Sequence, residues 1–393
     1  QWDLNWANPA VFLEIVEVML FLANKGVDVL RLDAVAFMWK RMGTRCQSEP
    51  EVHMLLQALR ACSRIASAAV IHLEEAIVAP EEMLPYLGRG RHDGKEGNLA
   101  YHNSLMVQFW SALATRDVRL MTHVLGTHFP DRLTNATYAT YIRCHDDIGW
   151  AVTDGDAAAV GVSGHGHRNF LSEFYEGSFP GTFARGALFQ ENPLTGDKRI
   201  SGSFASLAGL ERAEAEGDAA GIEMAVQRIL MGHALIAAFG GIPLVYMGDE
   251  LALPNDYGYL ENPHHAHDSR WVHRPRMDWE IAGARQTADT PSARVFRGVR
   301  EILARRAAVP ALHGGVPVRV VASGNDAVFA FQRLAPTGTL LGLFNFTEHW
   351  QQLPEGWVRS LGVSALHDAL SDGQVEAHHG QIVLPPYARV WLT

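Results

Sequence analysis

Three stretches of the chain run from apolar residues into a carboxylate. In "GVDVLRLDAVAF" (26–37) the acid is Asp33, in "VIHLEEAIVAP" (70–80) it is Glu75, and in "YIRCHDDIGW" (141–150) it is Asp146. Each run reads as a buried parallel strand. Three acids at the ends of such strands are what retaining glycoside chemistry needs. One attacks the anomeric carbon, one protonates the leaving oxygen, and the third steadies the charge developing on the sugar ring. Arg31 interrupts the first run two residues before Asp33. With a period of two it shares the face of Asp33, where a charge-assisted hydrogen bond can keep the aspartate ionised and oriented. A single acid after a strand is also an ordinary helix cap, and Arg–Asp pairs are common structural ion pairs. The catalytic reading rests on the three acids jointly, with His145 and Asp147 flanking the last.

Those residues need a scaffold, and coarse periodicity supplies one. Helices are expected over 10–24, opened by Asn8-Pro9, then over 51–67, up to 114, over 222–238 and over 292–307. Strands are expected up to 33 and over 69–74, 98–101, 138–143 and 242–247. This alternation predicts a parallel sheet with helices packed on it, an α/β fold of the (β/α)8 TIM-barrel type. About five strands are visible where a closed barrel has eight. Between 149 and 221 the alternation stops, and the stretch reads as a long inserted loop carrying substrate contacts. After about 310, "VPVRVVASG", "AVFAFQRL", "TLLGLFNF" and "ARVWLT" read as a small antiparallel β-sandwich. The expected domains are therefore 1–310, a catalytic barrel including the 149–221 insertion, and 311–393.

Composition narrows the partners. With 393 residues, 48% hydrophobic and 19% charged, the chain has material for a sizeable core, and its formal net charge of -10 argues against nucleic acid or an anionic membrane. Three scattered cysteines, Cys46, Cys62 and Cys144, fit a reducing compartment rather than a disulfide framework. With no signal peptide visible, a cytoplasmic location is expected. His264, His265 and His267 match no zinc spacing and read as a polar loop. Gly240-Gly241 lacks the following GK[ST] of a phosphate loop and reads as a turn into a strand. Glu250 reads as structural or rim.

The motifs also carry a family resemblance. "GVDVLRLDAVAF", "HLEEAIVAP", "YIRCHDDIGW" and "GGIPLVYMGDEL" resemble the motifs on the fourth, fifth, seventh and eighth strands of the alpha-amylase family of glycoside hydrolases. "QWDLNWANP", "RLDAVAFMWK", "RCHDDIGW", "FARGALFQENPLTGDKRISG" and "HDSRWVHRP" resemble its amylosucrase and sucrose hydrolase branch. The resemblance implies that Asp33 is the nucleophile, Glu75 the general acid/base and Asp146 the transition-state stabiliser. It implies that Arg31 and His145 contact the glucosyl unit, that Arg270 helps close the pocket floor, that Asp147 lies near the fructosyl site, and that Arg199 holds acceptor sugar chains. Glu74 beside Glu75 departs from the pattern; it points to the other face of the strand and is expected in an ion pair there.

The implied activity is glucosyl transfer from sucrose, releasing fructose and building an α-1,4-glucan, with no cofactor or metal. The alternatives are sucrose hydrolysis, with water as acceptor, and an inactive fragment. The family's first three strands have no counterpart here, so the chain is expected to represent roughly strands 4 to 8 of the barrel, lacking its N-terminal part.

Overall fold

The computed structural model describes residues 3–393. The chain divides into two compact units, one made of 1–103 with 128–139 and the other of 104–127 with 140–393.

The first unit is a parallel sheet with helices. Helix α1 (Pro9–Asn24) starts where expected: the Asn8 side chain accepts from the Ala10 N–H and Pro9 fills a first-turn position that needs no donor. Strand β1 (Val29–Leu32) follows, then α2 (Pro50–Ala66), β2 (Ile71–Glu74), β3 (Leu99–Tyr101) and β4 (Thr137–Thr140). β1 pairs with β2 in parallel, Arg31 opposite Leu73 and Leu32 opposite Glu74. β2 pairs with β3 through Leu73 and Leu99, and β3 with β4 through Leu99 and Thr137. The core beneath β1 is built from Met19 of α1, Leu30, and Val52, Leu56 and Leu59 of α2. These α2 positions recur at helical spacing, which is why that amphipathic stretch docks by one face.

In the second unit, α3 (Asn103–Thr115), α4 (Gly164–Glu176), α5 (Ala219–Ala238) and α6 (Pro291–Ala308) carry most of the helical mass. The expected strand 138–143 stops at Thr140. Beyond it the Ile142 carbonyl accepts from the Trp110 indole, at 2.9 Å, and Arg143 turns to the buried Asp249, so neither continues a ladder. The expected strand 242–247 shrinks to β8 (Ile242–Pro243), since Pro243 has no N–H to donate. Leu244 N–H then makes one bond to the Thr140 carbonyl. Gly240 and Gly241, at φ 135° and 113°, form the turn into this strand.

The 149–221 stretch is not a structureless loop. It holds α4 and an antiparallel sheet of β5 (Ile148–Gly149), β6 (Ala187–Glu191) and β7 (Lys198–Ser201), with β7 in the middle. Thr153, Ser163 and Ser203 cap helices with their side chains. Those residues were the available signals, hidden in a segment whose high Gly, Asn and Asp content suggests turns.

The C-terminal part is antiparallel, as expected. β9 (Val318–Val321), β10 (Val328–Ala335), β11 (Gly338–Asn345), β13 (His367–Asp368), β14 (Gly373–Gln374) and β17 (Arg389–Leu392) form a six-stranded sheet. β12 (Gln351–Pro354), β15 (Ala377–His378) and β16 (Gln381–Leu384) form a second. Val328, Leu341, Leu343, Leu353, Ile382, Leu384 and Leu392 share one core, contributed by strands of both sheets. No helix among the described residues is long and apolar enough to cross a membrane.

Candidate active site

In the first unit the structure brings Arg31, Asp33 and Glu75 together. The ladder continues past the ends of β1 and β2: Glu75 N–H donates to the Leu32 carbonyl at 3.0 Å, and Val35 N–H to the Glu75 carbonyl at 3.3 Å. Between them Ala34 takes a left-handed conformation, φ 49°, costing about 1 kcal/mol for a residue with a Cβ. That conformation aims its N–H at the Glu75 carboxyl, 2.9 Å from Oε2. Arg31 Nη1 lies 2.5 Å from Asp33 Oδ1 and Nη2 lies 2.7 Å from Glu75 Oε1. The same-face reading of Arg31 therefore holds, but the guanidinium serves two carboxylates, not one. Tyr101, at the end of β3, completes the group by accepting from Arg31 Nε at 3.2 Å. Sequence reading missed it, because a tyrosine ending a short strand carries no signal by itself. Asp33 remains open, its side chain 60% exposed, and with Arg31 it lines a cleft of about 380 Å³ beside α1.

The electrostatics separate the two acids. Burial, with the Asp33 hydrogen bond and charge, pushes Glu75 up to about 7, against the opposing Ala34 N–H and Arg31 charge. Arg31 is held above its ordinary value: burial works against the charge, and the Asp33 bond and Glu75 outweigh it. A carboxyl poised near neutrality beside a second one gripped by arginine is the pairing that splits acid from nucleophile roles.

Glu74 differs from expectation. It is 1% exposed, and neither carboxylate oxygen has a hydrogen-bond partner. Burial first, and then the charge of Glu96, raise it well above the ordinary carboxylate range, with Arg60 opposing. It is a buried acid without a hydrogen-bond partner, not half of an ion pair. Arg60 Nη1 instead bonds the carbonyls of Glu96 and Gly97, while Glu96 is occupied by His53 and Gln57. Gly97 is required there, since a Cβ would stand 2.9 Å from the Tyr86 carbonyl oxygen and 2.4 Å from Glu74 Cγ.

In the second unit His145, Asp146, Asp147, Arg199 and Arg270 form another cluster. Asp146 does not close a strand; it lies well beyond β4, on a segment pinned by other means. Arg143 bonds Asp249 Oδ1 and the His273 carbonyl. His273 takes the Gly202 N–H on Nδ1 at 3.0 Å, so its proton sits on Nε2 and is donated to the His145 carbonyl, also at 3.0 Å. Burial lowers His273 to about 3, so that neutral tautomer is fixed. Arg274 Nε donates to the same carbonyl at 2.8 Å.

The Asp146 carboxylate so placed meets His145 Nε2 at 3.2 Å, Arg270 at 3.5 Å and Arg274 at 3.8 Å. Arg270 is anchored by Asp268, whose carboxylate falls to about 2 through that arginine's hydrogen bonds, and lies over the Phe189 ring. Asp147, 6% exposed, is raised by burial and faces Arg199 at 3.3 Å, which at 55% exposure leans out over Gly149. Sequence reading missed Arg274, Asp268 and His273, although "HDSRWVHRP" contained all three.

Cys144, His145 and Asp146 place their ligand atoms within 4.8 Å of one another, the one such group among the described residues. Two guanidiniums already face that carboxylate, so a cation there would meet competition. His265 stacks on Trp271 at 3.7 Å, and Glu250 accepts from the Gly248 N–H.

Comparison with known proteins agrees with this picture at the level of family. Residues 1–157 match the alpha amylase catalytic domain, and residues 318–393 match the amylosucrase C-terminal domain. The chain carries an alpha-amylase family catalytic domain and an amylosucrase-like C-terminal domain. It is 24% identical over its whole length to the glucosylglycerate phosphorylases of Spirochaeta thermophila and Escherichia coli, spanning 64% and 65% of those proteins. It is 30% identical to the trehalose synthase of Thermus thermophilus over 64% of this chain and 22% of that one. Among solved structures, the sucrose 6F-phosphate phosphorylase of Thermoanaerobacter thermosaccharolyticum superposes with a TM-score of 0.61 at 18% identity, covering 84% of this chain and 58% of that one. The alpha-amylase of H. orenii gives 0.60 at 13% identity, with 99% and 65% coverage. These likenesses place the fold among alpha-amylase-type barrels. The chain spans less than two thirds of the curated phosphorylases it matches.

Two outcomes test the electrostatics. Carboxyl resonances followed against pH should show Glu75 titrating near 7, and Arg31→Gln should move that midpoint upward, because Arg31 favours the ionised form; a midpoint in the ordinary glutamate range would contradict it. Glu74, with a raised folded pKa, contributes fully at acid pH and loses that contribution as pH climbs above its ordinary value. Glu74→Gln should therefore match the wild type near pH 4.5 and exceed its melting temperature at pH 8.

Proposed function

We propose that the chain performs retaining α-glucosyl transfer, with Asp33 as nucleophile, Glu75 as acid/base and Asp146 as the stabilising carboxylate. The observation that carries this reading is the single Arg31 guanidinium in contact with both the Asp33 and the Glu75 carboxylate, with Glu75 pushed up to about 7. Inverting enzymes hold their two acids roughly 6.5–9.5 Å apart to admit a water; two carboxylates gripped by one guanidinium stand close together, which favours attack by the carboxylate itself. Asp33 attacks the anomeric carbon as the bond to the leaving oxygen breaks, and Glu75 gives its proton to that oxygen. In the second step Glu75 takes the proton of the acceptor hydroxyl, which attacks the anomeric carbon and frees Asp33.

The motif resemblance and the amylosucrase-like C-terminal domain favour sucrose as donor and a glucan as acceptor. In that reading Arg31 and His145 hold the glucosyl unit, Arg270 the pocket floor, Asp147 the fructosyl side and Arg199 the acceptor chain. A second reading, phosphorolysis of a glucoside, is favoured by the full-length similarity to glucosylglycerate phosphorylases.

The test incubates the 393-residue chain with sucrose, and separately with glucosylglycerate and phosphate. Fructose with iodine-staining product supports the first reading, fructose with free glucose supports hydrolysis, and glucose 1-phosphate supports the second. In each case Asp33→Asn should cost at least about 10³-fold in kcat. No turnover of either donor by a folded chain would sink both. Because Glu75 must be protonated to act first, kcat/KM should fall as pH rises through about 7, where Glu75 loses its proton.

A further inference from the structure

A second cleft, of about 430 Å³, lies in the second unit between α5, α6 and the end of the C-terminal sheet. Arg389, the first residue of β17, lines it. Partly exposed as a residue, Arg389 nonetheless has a guanidinium deep enough that burial lowers it to about 10, against the opposing charges of Asp368 and Glu223. Its one hydrogen bond among the described residues runs from Nη1 to Gln227 Oε1, 2.8 Å. The other donors are not sealed inside protein.

The nearby acids are engaged elsewhere. Asp368 accepts the N–H groups of Leu370, Ser371 and Trp391 and the Ser371 hydroxyl. Glu223 holds Arg294 and Gln227. Other buried arginines of this unit face protein groups: Arg333 bonds the carbonyls of Ala238, His313 and Val316, Arg143 pairs with Asp249, and Arg228 bonds Ala208 and lies over Phe183 and Tyr387, although the Nε atoms of Arg228 and Arg333 are buried without a partner. A desolvated guanidinium is costly unless paired, and its planar fork matches a carboxylate. Arg389 alone in this set lines a cavity and has donors left over beside it.

We propose that this cleft binds a small organic monocarboxylate with an apolar body. The carboxylate pairs with the free donors of Arg389, and the body lies against Ile302, Leu370, Pro385 and Pro386. One negative charge suits the site better than two, because Glu223, Glu301 and Asp368 all surround it and repel a dianion more strongly.

The experiment is calorimetric titration of the 393-residue chain with hexanoate, with inorganic phosphate and sodium chloride as comparators, alongside thermal unfolding. The expected result is saturable hexanoate binding with a matching rise in melting temperature and much weaker phosphate binding. Arg389→Gln should weaken hexanoate at least about tenfold, the usual effect of losing a charged hydrogen bond. Should that variant fold poorly, Pro386→Trp narrows the cleft from its partly exposed wall while leaving Arg389 in place and should abolish binding; Glu301→Lys, at the exposed rim, should tighten it. No saturable binding means that solvent alone satisfies Arg389 and overturns the proposal. Binding unchanged in Pro386→Trp overturns it too, by placing the ligand elsewhere, and preferential phosphate binding refutes the ligand class.

Discussion

The guanidinium of Arg31 is the contact on which the first unit's chemistry depends. A charge in the middle of a parallel strand costs free energy unless it is paired, and here it is paired twice. One side holds Asp33, which stays open to the cleft, and the other holds Glu75, which is mostly covered. The asymmetry of that covering, not the arginine itself, separates the two acids. Both contact the same cation, and burial raises Glu75 toward neutrality. The backbone serves the same end, since the left-handed turn at Ala34 spends local strain to bring one more donor to Glu75.

The second unit achieves a comparable result without a strand. Asp146 lies where the ladder has already ended, and its place is set by Arg143, His273 and Arg274 gripping the carbonyls and side chains around it. A buried imidazole of fixed tautomer and a buried Arg143–Asp249 pair do what hydrogen bonds between strands do at Asp33 and Glu75. Such networks are rigid when their members are satisfied, and here every side-chain nitrogen of Arg143 and His273 is bonded.

How legible this was in the sequence varies with the kind of information. The strands ending near Asp33 and Glu75, the cap at Asn8-Pro9 and the antiparallel tail follow from local periodicity, and they appear within a residue or two of expectation. The pairing of Arg31 with Asp33 follows from the two-residue period. Its second bond, to Glu75, depends on the register of β1 against β2, which no single strand encodes. The expected strand to Arg143 failed because a tryptophan indole and a distant aspartate took over its backbone and side chain. Glu74 was misread because alternation tells which face a residue occupies, not what waits there. Tyr101, His273 and Arg274 reach the site only through tertiary contact.

The surface beside the first cleft has a colloidal consequence. β1 is an edge strand whose Val29 is exposed, and α1 turns Leu13, Val18, Phe21 and Leu22 to the solvent. Open edges and apolar helix faces favour sticking between copies. What opposes it is the long-range repulsion of a chain carrying a net charge of -10. That repulsion reaches only about 10 Å at 0.1 M salt and shortens as salt is added. Dilute buffer slightly above neutral pH should keep this chain dispersed, while salt or an approach to its pI near 6.0 should drive it to associate.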